Sequence, residues 1–141
     1  MAVEELFPDL EAWRRQRILI VDDDEQVLRT LGRILQKEGF VIMLASDGQK
    51  ALDMAKEHSQ IDLLITDIVM RGINGVELAA RLKWERPDMP VLFTSGYTQQ
   101  QIGTRYKLPE NSAFLEKPWT PDDIKAEALR LIGPKHPNIA D

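Results

Sequence analysis

The chain has 141 residues, enough for one domain around one core. Hydrophobic residues make up 43% and charged residues 29%, which excludes a disordered chain, and a net charge of -5 argues against a broad nucleic-acid or anionic-membrane surface. With no cysteine and only His58 and His136, disulfides, thiol catalysis, Cys-based zinc sites and a His-rich metal centre are excluded.

The first residues lack the basic-then-apolar order of a secretory signal. No apolar stretch approaches the roughly 18 residues of a membrane span, so a cytoplasmic protein is expected. "MAVEELFPDLEAWRRQR" opens the chain. Pro8, Asp9 and Glu11 followed by Arg14, Arg15 and Arg17 have the charge order of a short helix. Residues 1–15 thus read as an N-terminal extension. Docking on the domain, a homodimer contact and a linker are its open roles. "RRQR" (14–17) reads as a solvated helix end.

"RILIV" (17–21) is the first strand. Val27, Leu28, Leu31, Ile34 and Leu35 then mark one helix face, with Asp24 as its cap and Gly39 as its stop. "FVIMLA" (40–45) is the second strand, followed by a helix over 48–58 behind Asp47. "IDLLIT" (61–66) is the third, followed by a helix over 75–85 opened by Asn74. "PVLFTS" (90–95) is the fourth strand, and 97–107 is polar and weakly patterned, suiting a short, loose helix. "AFLE" (113–116) is the fifth strand, and a last helix over 120–132 has Thr120 as its cap and Pro121 at its first position.

Runs such as "LLIT" and "VLF" are apolar at every position, as in strands covered on both faces. Strands alternating with helices over short loops imply a doubly wound parallel sheet, (βα)5, an α/β fold. Such sheets bind ligands beyond the carboxyl ends of their strands. Those ends carry Asp22, Asp23 and Asp24, then Asp67, then Thr94, Ser95 and Gly96, then Glu116, Lys117 and Pro118. Crowded carboxylates suit a hard divalent cation, and a lysine and a hydroxyl suit phosphoryl oxygens. A carboxylate nucleophile, a metal, a lysine and a hydroxyl are the parts of phosphoryl transfer to an aspartate.

"ILIVDDDEQVL", "DLLITDIVM", "PVLFTSGY" and "FLEKPWTPDDI" resemble the receiver domain of bacterial two-component response regulators. The resemblance implies a flavodoxin-like strand order 2-1-3-4-5, a receiver over residues 16–133 and a C-terminal tail over 134–141. It implies that Asp67 accepts a phosphoryl group from the phosphohistidine of a histidine kinase or phosphotransfer protein. Asp22 and Asp23 would be the acidic pair for Mg2+, with Asp23 the direct ligand, and Asp67 and the Val69 carbonyl would complete the protein's contacts. Lys117 would pair with the phosphoryl group. Ser95 and Phe114 would be the switch, repacking the helix 4, strand 5 and helix 5 surface for a downstream protein target. A cis bond is common in the family between the lysine and proline found here at 117 and 118. The domain would catalyse only its own phosphorylation and dephosphorylation.

Four residues depart from the commonest pattern. Ser95 replaces Thr, Arg71 replaces Pro, Trp119 replaces Phe, and Val69 is apolar where a polar side chain would orient water. Trp84 and Trp119 read as packing residues. His58, near a helix end, lacks the context of a phosphotransfer histidine. A haloacid-dehalogenase-type phosphatase is the enzyme alternative, but Gln26 breaks its motif and Asp122–Asp123 opens a helix. A pseudo-receiver that only binds is the other alternative. A flavin-binding relative would place a Ser/Thr/Gly phosphate loop where the three aspartates stand. The tail is too short for an output domain, which leaves a stand-alone receiver or the receiver of a hybrid histidine kinase.

Overall fold

The computed structural model describes residues 15–132. The expected extension helix and C-terminal tail therefore lie outside the described residues. Five strands alternate with five helices: β1 (Arg17–Val21), α1 (Glu25–Lys37), β2 (Val41–Ala45), α2 (Gly48–Glu57), β3 (Leu63–Asp67), α3 (Gly75–Glu85), β4 (Val91–Ser95), α4 (Gln99–Gly103), β5 (Ser112–Glu116) and α5 (Pro121–Ile132). The strands form one sheet in the order β2-β1-β3-β4-β5, and every pairing is parallel. This is the doubly wound order expected from the resemblance.

The alternation of side chains along each strand explains the apolar runs. Leu19, Val21, Leu64 and Phe93 enter one core with Ala51, Leu78, Leu82 and Ile102 of α2, α3 and α4. Ile18, Ile20, Ile65 and Leu92 enter the other, with Leu28, Leu31 and Leu35 of α1 and Ile124 and Ala128 of α5. Both sheet faces are thus sealed, so a polar group on a central strand can reach water only at a strand end.

The caps set where the helices start, and so where the loops between strand and helix run. Asp24 accepts from Gln26 N at 2.9 Å and Val27 N at 3.3 Å, and Asp47 accepts from Lys50 N at 2.8 Å. Asn74 accepts from Glu77 N at 2.9 Å, and the Thr120 hydroxyl from Asp123 N at 3.1 Å. Gly39 ends α1 at φ 97°, a left-handed conformation suited to glycine. The weakly patterned stretch forms only a five-residue helix, held by a reciprocal Thr98–Gln101 box and by inward-facing Ile102.

β3 begins at Leu63, not Ile61, and runs on through Asp67. Trp84 is no packing residue: it is 88% exposed. Leu78, Ala79 and Leu82 already fill the inner face of α3, and two residues beyond Leu82 the helix points outward. Of the basic cluster, Arg15 is exposed and Arg14 lies outside the described residues; Arg17 begins β1 as expected, and its guanidinium lies 2.9 Å from His58 Nδ1. Trp119 does pack, half-buried against the α1/α5 core. Arg86, unremarked in the sequence, donates to the carbonyls of Ala55, His58 and Ser59, so it satisfies the open C-terminal end of α2 from α3.

Candidate phospho-acceptor site

The site assembles at the carboxyl edge of the sheet. β3 is buried at every position and delivers Asp67 there as its last residue, 8% exposed. β1 ends one residue before Asp22, which is buried, and Asp23 beside it is exposed. Oxygens of Asp22, Asp23 and Asp67 lie within 4.8 Å of one another. Lys117 follows β5, with its ammonium 2.9 Å from Asp22 Oδ2 and 3.5 Å from Asp67 Oδ2. Its backbone N–H donates to the Ser95 carbonyl at 2.7 Å, which ties the end of β5 to the end of β4. The Lys117–Pro118 bond is cis.

The electrostatics follow from this packing. Burial pushes the Asp67 carboxyl up from 3.8 to about 6; Lys117 opposes the rise, and Asp22 and Asp23 add to it. Burial disfavours the charge on Lys117, but its hydrogen bond to Asp22 and the field of Asp67 outweigh this and raise its pKa. Asp22 is engaged on both oxygens, with Oδ1 accepting from Asp24 N at 2.9 Å and Oδ2 from Lys117. The donor set is all oxygen, anionic and mutually repulsive, so it fits a hard divalent cation better than a soft one.

Ser95 is buried, and its hydroxyl oxygen accepts from Tyr97 N at 3.0 Å. Phe114 lies opposite Phe93 in the β4–β5 ladder and packs half-buried on the α2/α3/α4 core, on the strand that Lys117 follows. Val69 is 46% exposed in the loop after Asp67. Asp123, half of the late acidic pair, spends an oxygen on Thr120 N at 3.0 Å, a capping role.

The sequence reading missed Gly75. Its N–H donates to the Ile68 carbonyl at 2.8 Å. A Cβ there would fall on the Asp67 carbonyl oxygen and come 3.0 Å from Ile68 Cα. Only a glycine lets α3 start this close to the backbone of Asp67. The Asn-Gly pair at 74–75 signals a turn, but no sequence pattern reveals the close approach.

Residues 18–129 match the response regulator receiver domain family. The response regulator receiver protein CpdR of Brucella abortus is 30% identical over 83% of this chain and 97% of its own length. The sensor kinase CckA of the same organism is 29% identical, but the chain spans only 12% of its length. Among solved structures, the receiver domain of the hybrid histidine kinase CckA is 32% identical with a TM-score of 0.70, over 82% of this chain and 98% of that one. TrrA of Thermotoga maritima, solved in complex with Mg2+ and BeF, is 28% identical with a TM-score of 0.70, over 82% and 98% of the two chains. The family match, the strand order and the acidic cluster at the sheet's carboxyl edge agree, and the chain belongs to the response-regulator receiver domains, the phospho-accepting signalling modules of two-component systems.

Proposed function

We propose that Asp67 is the phospho-acceptor of this receiver and that Asp22, Asp23, Lys117 and Ser95 serve the transfer. The observation that carries the proposal is the convergence of three carboxylates within 4.8 Å with an ammonium 3.5 Å from Asp67. A pKa of about 6 leaves Asp67 mostly ionised at pH 7, as a nucleophile must be. An Asp67 oxygen attacks the phosphorus in line. The P–N bond of a donor phosphohistidine breaks, its electron pair returns to the imidazole, and that nitrogen takes up a proton. Lys117 neutralises a phosphoryl oxygen, and the Ser95 hydroxyl donates to another.

Mg2+ is the cofactor the donor set favours; when bound it supplies positive charge to the phosphoryl oxygens. Asp23, Asp67 and the Val69 carbonyl would hold it. Asp22 is already committed to Asp24 N and Lys117, which favours Asp23 as the direct ligand. The product adds about two negative charges. Ser95 and Phe114 respond, and the α4–β5–α5 surface repacks for a downstream protein. We assign the receiver to residues 16–133, with the extension and tail as flanking segments, and place it in the cytoplasm. A histidine kinase or phosphotransfer protein is the donor, and the only chemistry the domain catalyses is on its own Asp67.

Mg2+ with beryllofluoride, a phosphoryl mimic, should give a saturable change in tryptophan fluorescence that Asp67→Asn abolishes. A response that survives in Asp67→Asn sinks the assignment. A second expectation concerns the lifetime of the mark. Val69 cannot orient an attacking water, so the acyl phosphate should hydrolyse slowly. In Val69→Asn it should decay about tenfold faster, equivalent to about 1.4 kcal/mol of barrier. An unchanged half-life after removal of the donor would count against this role.

A further inference from the structure

We infer that Arg71 is an electrostatic selectivity residue on the Asp23 side of the phospho-acceptor site: it aids capture of an anionic phosphodonor and holds divalent-cation affinity down. The inference rests on the reading of Asp22, Asp23 and Asp67 as the phosphorylation site. A cavity of about 650 Å3 opens beside Asp23, between the loops that follow β1, β2 and β3. Its charged lining residues, among those described, are Asp23, Glu25, Asp47 and Arg71. One guanidinium therefore shares the lining with three carboxylates, and the Lys50 ammonium lies just outside it, donating to Ser46 Oγ at 2.9 Å.

These charges differ in how far they are already spent. Asp47 accepts from Lys50 N at 2.8 Å, and Glu25 meets Arg29 at 3.7 Å along α1. Arg71 is exposed and makes no ion pair or hydrogen bond with a described residue. Gly72, at φ 76°, turns the chain immediately after it. An unpaired charge keeps its field at the cavity rim. A phosphodonor is an anion that those carboxylates repel as it approaches the site, and a cation at the rim lowers that repulsion. The same charge opposes a divalent cation settling on Asp23. One side chain therefore acts on the two ligands with opposite sign, which mere loop packing does not do.

The test uses the full chain as wild type, Arg71→Gln and Arg71→Lys at low ionic strength. Mg2+ affinity is read by calorimetry. Donor capture is read as the second-order rate of phosphorylation by acetyl phosphate at saturating Mg2+, which separates it from the metal effect. Arg71→Gln should bind Mg2+ about threefold more tightly and react with acetyl phosphate about threefold more slowly, and both gaps should close in about 0.5 M salt. Arg71→Lys keeps the charge and should match wild type in both. Movement of the two quantities in one direction, no movement of either, or an Arg71→Lys variant that behaves like Arg71→Gln would overturn the inference while leaving the site reading intact. Wild-type protein that neither binds Mg2+ nor takes up a phosphoryl group would overturn the site reading and this inference together.

Discussion

Without metal, Asp67→Asn protein should be more stable than wild type by about 2–3 kcal/mol at pH 7 to 8. The carboxyl titrates at 3.8 in ordinary surroundings and at about 6 in the fold, because burial and two neighbouring carboxylates outweigh the help of Lys117. Below pH 3.8 the group is protonated in both folded and unfolded chains and costs nothing. Between 3.8 and about 6 the unfolded chain releases the proton while the folded chain keeps it. The unfolded state then holds fewer protons, so wild-type stability falls as pH rises through this window. Above it both states are ionised and the penalty is constant. The advantage of Asp67→Asn should therefore be near zero at about pH 3.5, grow to about pH 6, and stay level beyond. Saturating Mg2+ should raise wild-type stability by about 2.7 kcal/mol at a hundred times its Kd and help the variant less. Urea melts across pH, with EDTA or Mg2+, read this directly. A metal-free Asp67→Asn less stable than wild type at pH 7 would show that the Lys117 contact outweighs burial.

Gly75→Ala should cost about 3 kcal/mol or more, at the upper end of overpacking, because what the new methyl meets is backbone that cannot rotate away. The Asp67 carbonyl and Ile68 Cα would have to move. Since they belong to the end of β3 and the loop after it, phosphoryl uptake at Asp67 should fall along with the melting temperature. Gly103→Ala is the control: nothing lies within 4 Å of its Cβ position, and it sits in a helix. It should be neutral or slightly stabilising. A Gly75→Ala protein within 1 kcal/mol of wild type would mean that α3 can back away from β3 at little cost.

These two residues mark the limits of what one sequence displays. The placement of Asp67 is legible because parallel topology gathers the acid that ends an apolar run with Asp22 and Lys117; alone, an acid at a strand end reads as a helix cap. The helix starts at Asp24, Asp47, Asn74 and Thr120 were legible because capping is local chemistry. Gly75 was not, because its constraint lies in a contact between α3 and the end of β3. Arg86 was not, because its partners are carbonyls 27 to 31 residues away. The exposure of Trp84 is not legible, because its hydrophobicity suits burial while three other residues already fill the inner face of α3. Local patterns fix elements and caps; packing between elements decides which side chains share a site.

Phosphorylation at Asp67 is read from the mass of the intact chain after reaction with acetyl phosphate, followed by mapping of the modified peptide. One phosphoryl group per chain is expected, on Asp67, formed only with Mg2+ and absent in Asp67→Asn. Phosphoryl uptake that persists in Asp67→Asn, or that proceeds equally well in EDTA, would contradict it.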